Sequence, residues 1–178
     1  HPDDMSYEHR MQCLESLRNV GFAVGCGFMV GSPFQTLENI ASDLKFVEEF
    51  SPEMCGIGPF IPQKDTPFGG FHAGSADLTC FLLSLIRLIK PNILLPETTA
   101  LGSVETDGRL RGILAGANVV MPNLSPFEVR SKYNLYDNKL STGAESAQNL
   151  EELKKSLDSI GFSVAVSRGD MKISDGKS

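Results

Sequence analysis

The sequence predicts an α/β fold in which about four parallel strands with flanking helices form half of an eight-stranded (β/α)8 barrel. Apolar patterns with helical and strand-like spacing alternate along the chain, and such alternation is typical of parallel strands joined by helical crossovers. Two of the strands end in glycine and proline, at 25–36 and 56–62. Four strands are too few to close a barrel, and the 178 residues begin with His1 rather than Met. We therefore expect a longer protein of which this is the C-terminal half.

Two helix–strand units are predicted in the first third of the chain. Ser6 caps a helix over 7–20 that carries Met11, Leu14 and Leu17 on one face, and a buried strand follows at 22–30. Thr36 caps a second helix that ends before Ser51, and its apolar residues, among them Leu37, recur at helical spacing. A second strand follows at 54–60.

The rest of the chain predicts shorter elements. Residues 62–75 form a polar loop that is long enough to act as a lid or substrate loop. Helices are expected at 77–90, with Phe81 facing inward, at 107–114 and at 147–160, and strands at 92–96, 117–121 and 162–166. We divide the chain into a barrel part, 1–140, and an appendix of helix, strand and tail, 141–178.

Composition excludes several classes of function. A net charge of −6 with both signs interspersed gives no electrostatic reason to bind nucleic acid or an anionic membrane. The apolar runs are too short to span a bilayer, and no secretory signal opens the chain. The four cysteines are widely spaced, which indicates neither a zinc ribbon nor a disulfide scaffold. These features favour a reduced, cytoplasmic location.

Several residues could serve a ligand, and each also has a structural explanation. Arg10 is either a solvated surface charge or a carboxylate ligand. The glycines at 25–31 either admit a ligand to the backbone or relieve crowding. Thr98 and Thr99 either orient a polar ligand or cap a turn. The remaining candidates are either core and surface packing or the lining of a barrel: Met29, Met54, Met121, Tyr133 and Tyr136.

Six sequence strings together resemble the [FeFe]-hydrogenase maturase family of the radical S-adenosylmethionine superfamily, which is related to biotin synthase and methylornithine synthase. They are YEHRM at 7–11, GFMVG at 27–31 with QT at 35–36, GIGPFIP at 56–62 with DTP at 65–67, PETTALG at 96–102, GANVVMPN at 116–123 and YNLY at 133–136.

This resemblance implies a role for each matching position. Arg10 would hold the carboxylate of S-adenosylmethionine. The backbone platform for the adenosine would comprise Gly27, Met29, Gly31, Gly58, Pro59, Ile61 and Pro62. The wall of the substrate cavity would comprise Met54, Thr98, Thr99, Met121, Tyr133 and Tyr136.

The resemblance also implies the chemistry. Members of this superfamily cleave S-adenosylmethionine with a [4Fe–4S] cluster and form a 5′-deoxyadenosyl radical. In this family the radical would act on a sulfur-containing, organometallic iron–cysteine precursor that a partner hydrogenase maturase supplies. The C-x3-C-x2-C cluster motif is absent from these 178 residues. We therefore assign no metal ligand here, expect no second cluster and expect this chain alone to be inactive.

Other functions remain open at this stage. Methylornithine synthase and biotin synthase share the barrel and the use of S-adenosylmethionine, although the methionine and tyrosine lining favours the maturase. A different class of protein is a non-catalytic barrel fragment that binds a small molecule or the other half of a barrel.

Overall fold

The computed structural model describes residues 5–121, 129 and 150–171. The predicted boundary between barrel part and appendix, at 140, lies outside these residues. No helix in the described ranges is both long and apolar enough to cross a membrane.

The first helix, α1 (Tyr7–Asn19), begins where the sequence predicts. The Ser6 hydroxyl accepts a hydrogen bond from the backbone N–H of His9 at 3.1 Å, which caps the helix. No residue of α1 is fully buried. On its apolar face Met11 and Leu14 are half-buried and line a cleft that separates α1 from the next strand and helix, whereas Leu17 is exposed.

Strands β1 (Gly25–Val30) and β2 (Met54–Pro59) lie next to each other as a parallel pair. In the sequence they are connected by α2 (Leu37–Phe50). Strand β1 starts three residues later than predicted, and Phe22 lies exposed before it. Helix α2 begins with a capping box in which Thr36 and Asn39 each bond the other's backbone N–H. It ends at Ser51, whose φ of 53° is left-handed.

Helix α3 (Ala76–Ile89) covers the outer face of the sheet. Its Ser75 hydroxyl accepts from the N–H of Leu78 at 3.2 Å. Leu82, Leu83 and Ile86 are buried, whereas Phe81, predicted to face inward, is 58% exposed. The helical period explains this correction, because the buried stripe is centred on 82, 83 and 86 and Phe81 lies at its border.

Two short strands form a second parallel pair, which an isolated parallel bridge between Met54 and Leu94 joins to β2. Strand β3 (Pro96–Glu97) pairs with β4 (Val119–Val120). Backbone bonds between Cys55 and Leu94 (2.9 Å) and between Leu94 and Glu53 (3.0 Å) join β2 to the β3 segment. The α/β half-barrel with parallel strands is therefore confirmed.

Two helices lie between β3 and β4, namely α4 (Thr99–Val104), which was not predicted, and α5 (Gly108–Leu114). The Arg87 guanidinium of α3 donates to the carbonyl oxygens of Gly116 (2.9 Å), Pro91 (2.7 Å) and Ile93 (2.9 Å). This one side chain thus holds the segments before and after α4 and α5 against α3.

The last described helix, α6 (Leu150–Asp158), buries Leu153 and Leu157 in the same core as the outer sheet face. The predicted strand at 162–166 is wrong, since these residues form no strand. Phe162, Val164 and Val166 are all exposed, so this segment buries no apolar face against the described part of the chain.

Candidate functional site

The two faces of the β1–β2 pair differ in burial. Cys55, Ile57 and Pro59 of β2 are buried toward the helices, whereas the residues between them are only half-buried. In β1 the opposite, inner face carries Gly25, Gly27 and Met29, and Met29 is 57% exposed. Successive strand residues point to opposite faces. The outer face of the half-barrel therefore packs into the core, and its inner, concave face is open.

Four glycines leave much of the inner face without side chains, namely Gly25, Gly27, Gly56 and Gly58. Gly27 is the register partner of Gly56, and Met29 is the partner of Gly58. A Cβ on Gly27 would overlap the carbonyl oxygen of Gly56, whereas a Cβ on Gly56 would meet nothing within 4 Å. The arrangement leaves backbone groups of β2 accessible from the inside of the arc.

The carboxyl end of β1 is closed by a side chain of the following turn. The Gln35 amide accepts from the N–H of Gly31 at 2.6 Å and donates to the carbonyl oxygen of Met29 at 2.8 Å. Gly31 has a φ of 75°, and a Cβ there would lie 2.8 Å from the Cα of Gly74. Gly31 is therefore required by this turn and by the approach of the long loop.

The loop at 62–75 returns to the strand ends. The N–H of Phe60 donates to Val30 and the N–H of Gly74 donates to Phe60, both at 2.8 Å. Above this link, the rings of Phe68 and Phe71 meet Phe34 edge-on, with centroids 6.4 Å and 5.6 Å away. Sequence reasoning missed this aromatic cluster, because its members come from two separate loops.

Thr98 lies at the carboxyl end of β3, next to Gly58. Its hydroxyl donates to the carbonyl oxygen of Ile57 at 3.4 Å, and a Cβ on Gly58 would come within 2.5 Å of that hydroxyl. Thr98 is the N-cap residue of α4, yet its side chain makes no capping bond. Thr99 is the first residue of that helix.

Glu97, the residue before Thr98, points to the outer face. Its carboxylate pairs with Nε of Arg109 at 3.0 Å, and the Glu97 side chain is 1% exposed. The sequence offered no signal for this pair, because an acidic residue at a strand end is usually solvated. The ion pair anchors the strand end that presents Thr98.

Arg10 lies away from the carboxyl ends of the strands, in a cleft whose walls are α1, α2 and the edge of β1 that does not pair with β2. The cleft has a volume of about 400 Å³ and is lined by Tyr7, Arg10, Met11, Leu14, Gly25, Cys26, Gly27, Ser42, Asp43 and Phe46. Among the described residues, no acidic side chain forms a salt bridge with Arg10. Burial raises the pKa of the Asp43 carboxyl on the facing wall.

The predicted site residues do not all lie together, but are spread over the inner face, the cleft, the strand ends and the long loop. Met29, Gly58 and Thr98 lie together on the inner face, and Arg10 and Gly27 both line the cleft. Met54 is at the opposite end of β2, paired with Gly25. The others are Pro59, buried at the end of β2, Ile61 and Pro62, half-buried in the loop, and Met121, exposed after β4. Tyr133 and Tyr136 lie outside the described residues.

The described part of the chain contains no group of three or more His, Cys, Asp or Glu side chains that could hold a metal ion. An iron–sulfur cluster with three cysteine ligands therefore does not fit these residues. The concave glycine surface and the cleft with Arg10 instead offer backbone groups and one cation to an organic ligand.

Three curated relatives resemble the chain in sequence, whereas no family model matches it. The [FeFe] hydrogenase maturase subunit HydE of Thermotoga maritima is 37% identical over 158 residues, which are 89% of this chain and 45% of that protein. The 3-methylornithine synthase of Methanosarcina barkeri is 26% identical over 87% of the chain. A biotin synthase of Mycobacterium ulcerans is 30% identical over 65% of the chain.

The fold has a solved counterpart in a crystal structure of methylornithine synthase (PylB). That structure matches 92% of this chain with a TM-score of 0.71 and 23% identity, and the match covers 47% of it. The chain spans about half the length of HydE, and 41% of the 3-methylornithine synthase. On these similarities, together with the partial parallel barrel, the chain belongs to the radical S-adenosylmethionine superfamily, in the group that contains HydE, methylornithine synthase and biotin synthase.

Proposed function

We propose that this chain forms one wall of a radical S-adenosylmethionine enzyme that takes part in the maturation of [FeFe] hydrogenase. The observation that carries the proposal is the 37% identity to HydE along 89% of the chain. The match to biotin synthase covers only 65% of the chain, and that to 3-methylornithine synthase is 26% identical. We also propose a cytoplasmic location, which agrees with four free cysteines.

The residues fit S-adenosylmethionine in two respects. The Arg10 guanidinium lines a cleft of about 400 Å³, where its planar fork would bind the ligand's carboxylate. The backbone of Gly27–Gly31 and of Gly58–Pro62 would receive the adenosine, because both segments lie at the carboxyl ends of parallel strands, where barrel enzymes bind their ligands. When bound with a [4Fe–4S] cluster, this cofactor supplies one-electron chemistry. The cluster ligands would belong to another part of the whole protein.

The inner face would orient and shield the substrate. Thr98 presents a hydroxyl from the end of β3, and Met29 and Met121 offer polarisable side chains at the ends of β1 and β4. We propose that Met54, Thr99, Tyr133 and Tyr136 complete this wall around a sulfur-containing, organoiron cysteine substrate delivered by another maturase. The loop at 62–75, with its aromatic cluster, would exclude water from this space.

Replacement of Arg10 tests the cofactor role. We expect Arg10→Ala to weaken S-adenosylmethionine binding by about tenfold or more, because a hydrogen bond to a charged group contributes about 1.5–3 kcal/mol. Arg10→Lys should be intermediate, since lysine keeps the charge but loses the planar fork. Isothermal titration calorimetry on the full-length protein measures this, with Arg168→Ala, an exposed arginine outside the cleft, as the control. Equal affinity in Arg10→Ala and Arg168→Ala would refute the role.

Genetic complementation tests the pathway. The gene for the full-length protein that contains this chain should restore hydrogenase activity to a strain lacking its HydE, and should not restore growth to a biotin auxotroph. Restoration of biotin synthesis alone would replace the maturase proposal with the biotin synthase alternative. The same gene with Arg10→Ala serves as the matched negative control in both strains.

A further inference from the structure

The sheet register brings two cysteines side by side that are far apart in sequence. Cys26 of β1 and Cys55 of β2 are register partners in the parallel pair, so their side chains point to the same, outer face. Partner residues on adjacent strands are about 4.8 Å apart. That spacing lies within the range of roughly 4.4–6.8 Å that a disulfide bridges between Cα atoms.

The two thiols differ in access. Cys55 is fully buried beneath the helices, with 0% exposure. Cys26 is half-buried and forms part of the lining of the cleft between α1 and α2. A small reagent that enters the cleft therefore reaches Cys26 first and reaches Cys55 only through it.

The surroundings of the pair favour Cys26 as the nucleophile. The hydrogen bond with Cys55 lowers the pKa of the Cys26 thiol, although partial burial and Asp43 oppose this. The same hydrogen bond and burial raise the pKa of the Cys55 thiol.

We propose that Cys26 and Cys55 form a redox modification site, in which Cys26 reacts with a hydroperoxide that enters the cleft and Cys55 resolves the product. The Cys26 thiolate attacks the peroxide, the O–O bond breaks, and Cys26 becomes a sulfenic acid while the peroxide is reduced to an alcohol or water. The Cys55 sulfur then attacks the Cys26 sulfur. A disulfide forms, and the sulfenic oxygen leaves as water with the Cys55 proton.

Peptide mapping of the whole chain tests this site directly. Trypsin places each cysteine in a separate peptide: residues 11–18 carry Cys13, 19–45 carry Cys26, 46–64 carry Cys55 and 65–87 carry Cys80. The reduced chain is exposed to hydrogen peroxide, and remaining thiols are blocked under acidic, denaturing conditions before digestion. We expect peptides 19–45 and 46–64 to appear joined, with a loss of two hydrogen atoms in mass and loss of both free thiols.

Variants establish the order of reaction. In Cys55→Ala, Cys26 should stop at a sulfenic acid that dimedone traps, and in Cys26→Ala, Cys55 should stay reduced. The exposed Cys13 and the half-buried Cys80 supply the controls Cys13→Ser and Cys80→Ser, which should bridge like the parent chain. A wild-type chain in which the pair stays reduced, in which another pair bridges instead, or in which Cys55 oxidises without Cys26 would overturn the proposal. The wild-type measurement needs no variant to fold.

Discussion

The glycine pair at the centre of the inner face offers a sharp test of the packing. Replacing Gly27 by alanine places a Cβ over the carbonyl oxygen of Gly56 and 2.9 Å from the carbonyl carbon. Ordinary contact begins at 3.4 Å, so β2 must move away by at least half an ångström, and further to clear the oxygen. The same substitution at Gly56 meets nothing within 4 Å.

The two substitutions should therefore change the free energy of unfolding in opposite directions. Overpacking costs about 1–3 kcal/mol, and stretching the β1–β2 ladder adds about 1 kcal/mol for each weakened hydrogen bond. We expect Gly27→Ala to lower the free energy of unfolding by about 3 kcal/mol, which lowers the Tm by roughly 10 °C for a chain of this length. Gly56→Ala should instead raise stability by about 0.5 kcal/mol, because alanine restricts the unfolded chain.

Thermal and urea denaturation, followed by far-ultraviolet circular dichroism, measure both effects. The two variants share one chemical change, one face and one register position, so differences in helix or strand propensity largely cancel. Equal effects at Gly27 and Gly56, or a neutral Gly27→Ala, would show that the strands are not held at the spacing from which the overlap follows.

Three further substitutions test the outer face and its connections. Glu97→Gln should lower the free energy of unfolding, measured by urea denaturation, by about 3–5 kcal/mol, because it leaves the charge of Arg109 in a buried site. The control Glu49→Gln, from an exposed i,i+4 pair, should lower it by less than about 0.5 kcal/mol. Similar losses in the two variants would contradict the burial argument. Arg87→Met should lower stability by about 2–3 kcal/mol, since three backbone carbonyls lose their charged donor, and an unchanged urea midpoint would refute that. Ser51→Gly should raise the Tm by relieving a left-handed backbone at the end of α2, and a lowered Tm would show that the serine stabilises this turn.

The features that the sequence predicts well are local ones. The predicted caps at Ser6 and Thr36 each satisfy a backbone N–H only three residues away, so the neighbouring residues in the sequence contain all the information needed. The long helices follow from apolar spacing for the same reason. Their observed ends lie within one or two residues of the predictions.

The features that the sequence misses depend on contacts between distant segments. Helix α4 contains threonine, glycine and valine, which favour helix weakly, and it forms because Leu101 and Gly102 are buried against neighbouring elements. The strand predicted at 162–166 has suitable residues but no partner. The Cys26–Cys55 pair requires knowledge of the register, which sequence spacing does not contain.

In the candidate site, too, the role of each glycine depends on contacts with distant segments that the sequence does not reveal. Sequence reasoning leaves two explanations for the glycines, ligand access and relief of crowding, and geometry separates them residue by residue. Gly27 lacks a side chain because the next strand occupies that space, and Gly58 is similarly confined by the Thr98 hydroxyl. Gly56 has open space instead, so no packing contact requires a glycine there. A ligand on the inner face therefore has its freest approach to the backbone at Gly56, between two glycines whose small size serves the sheet itself.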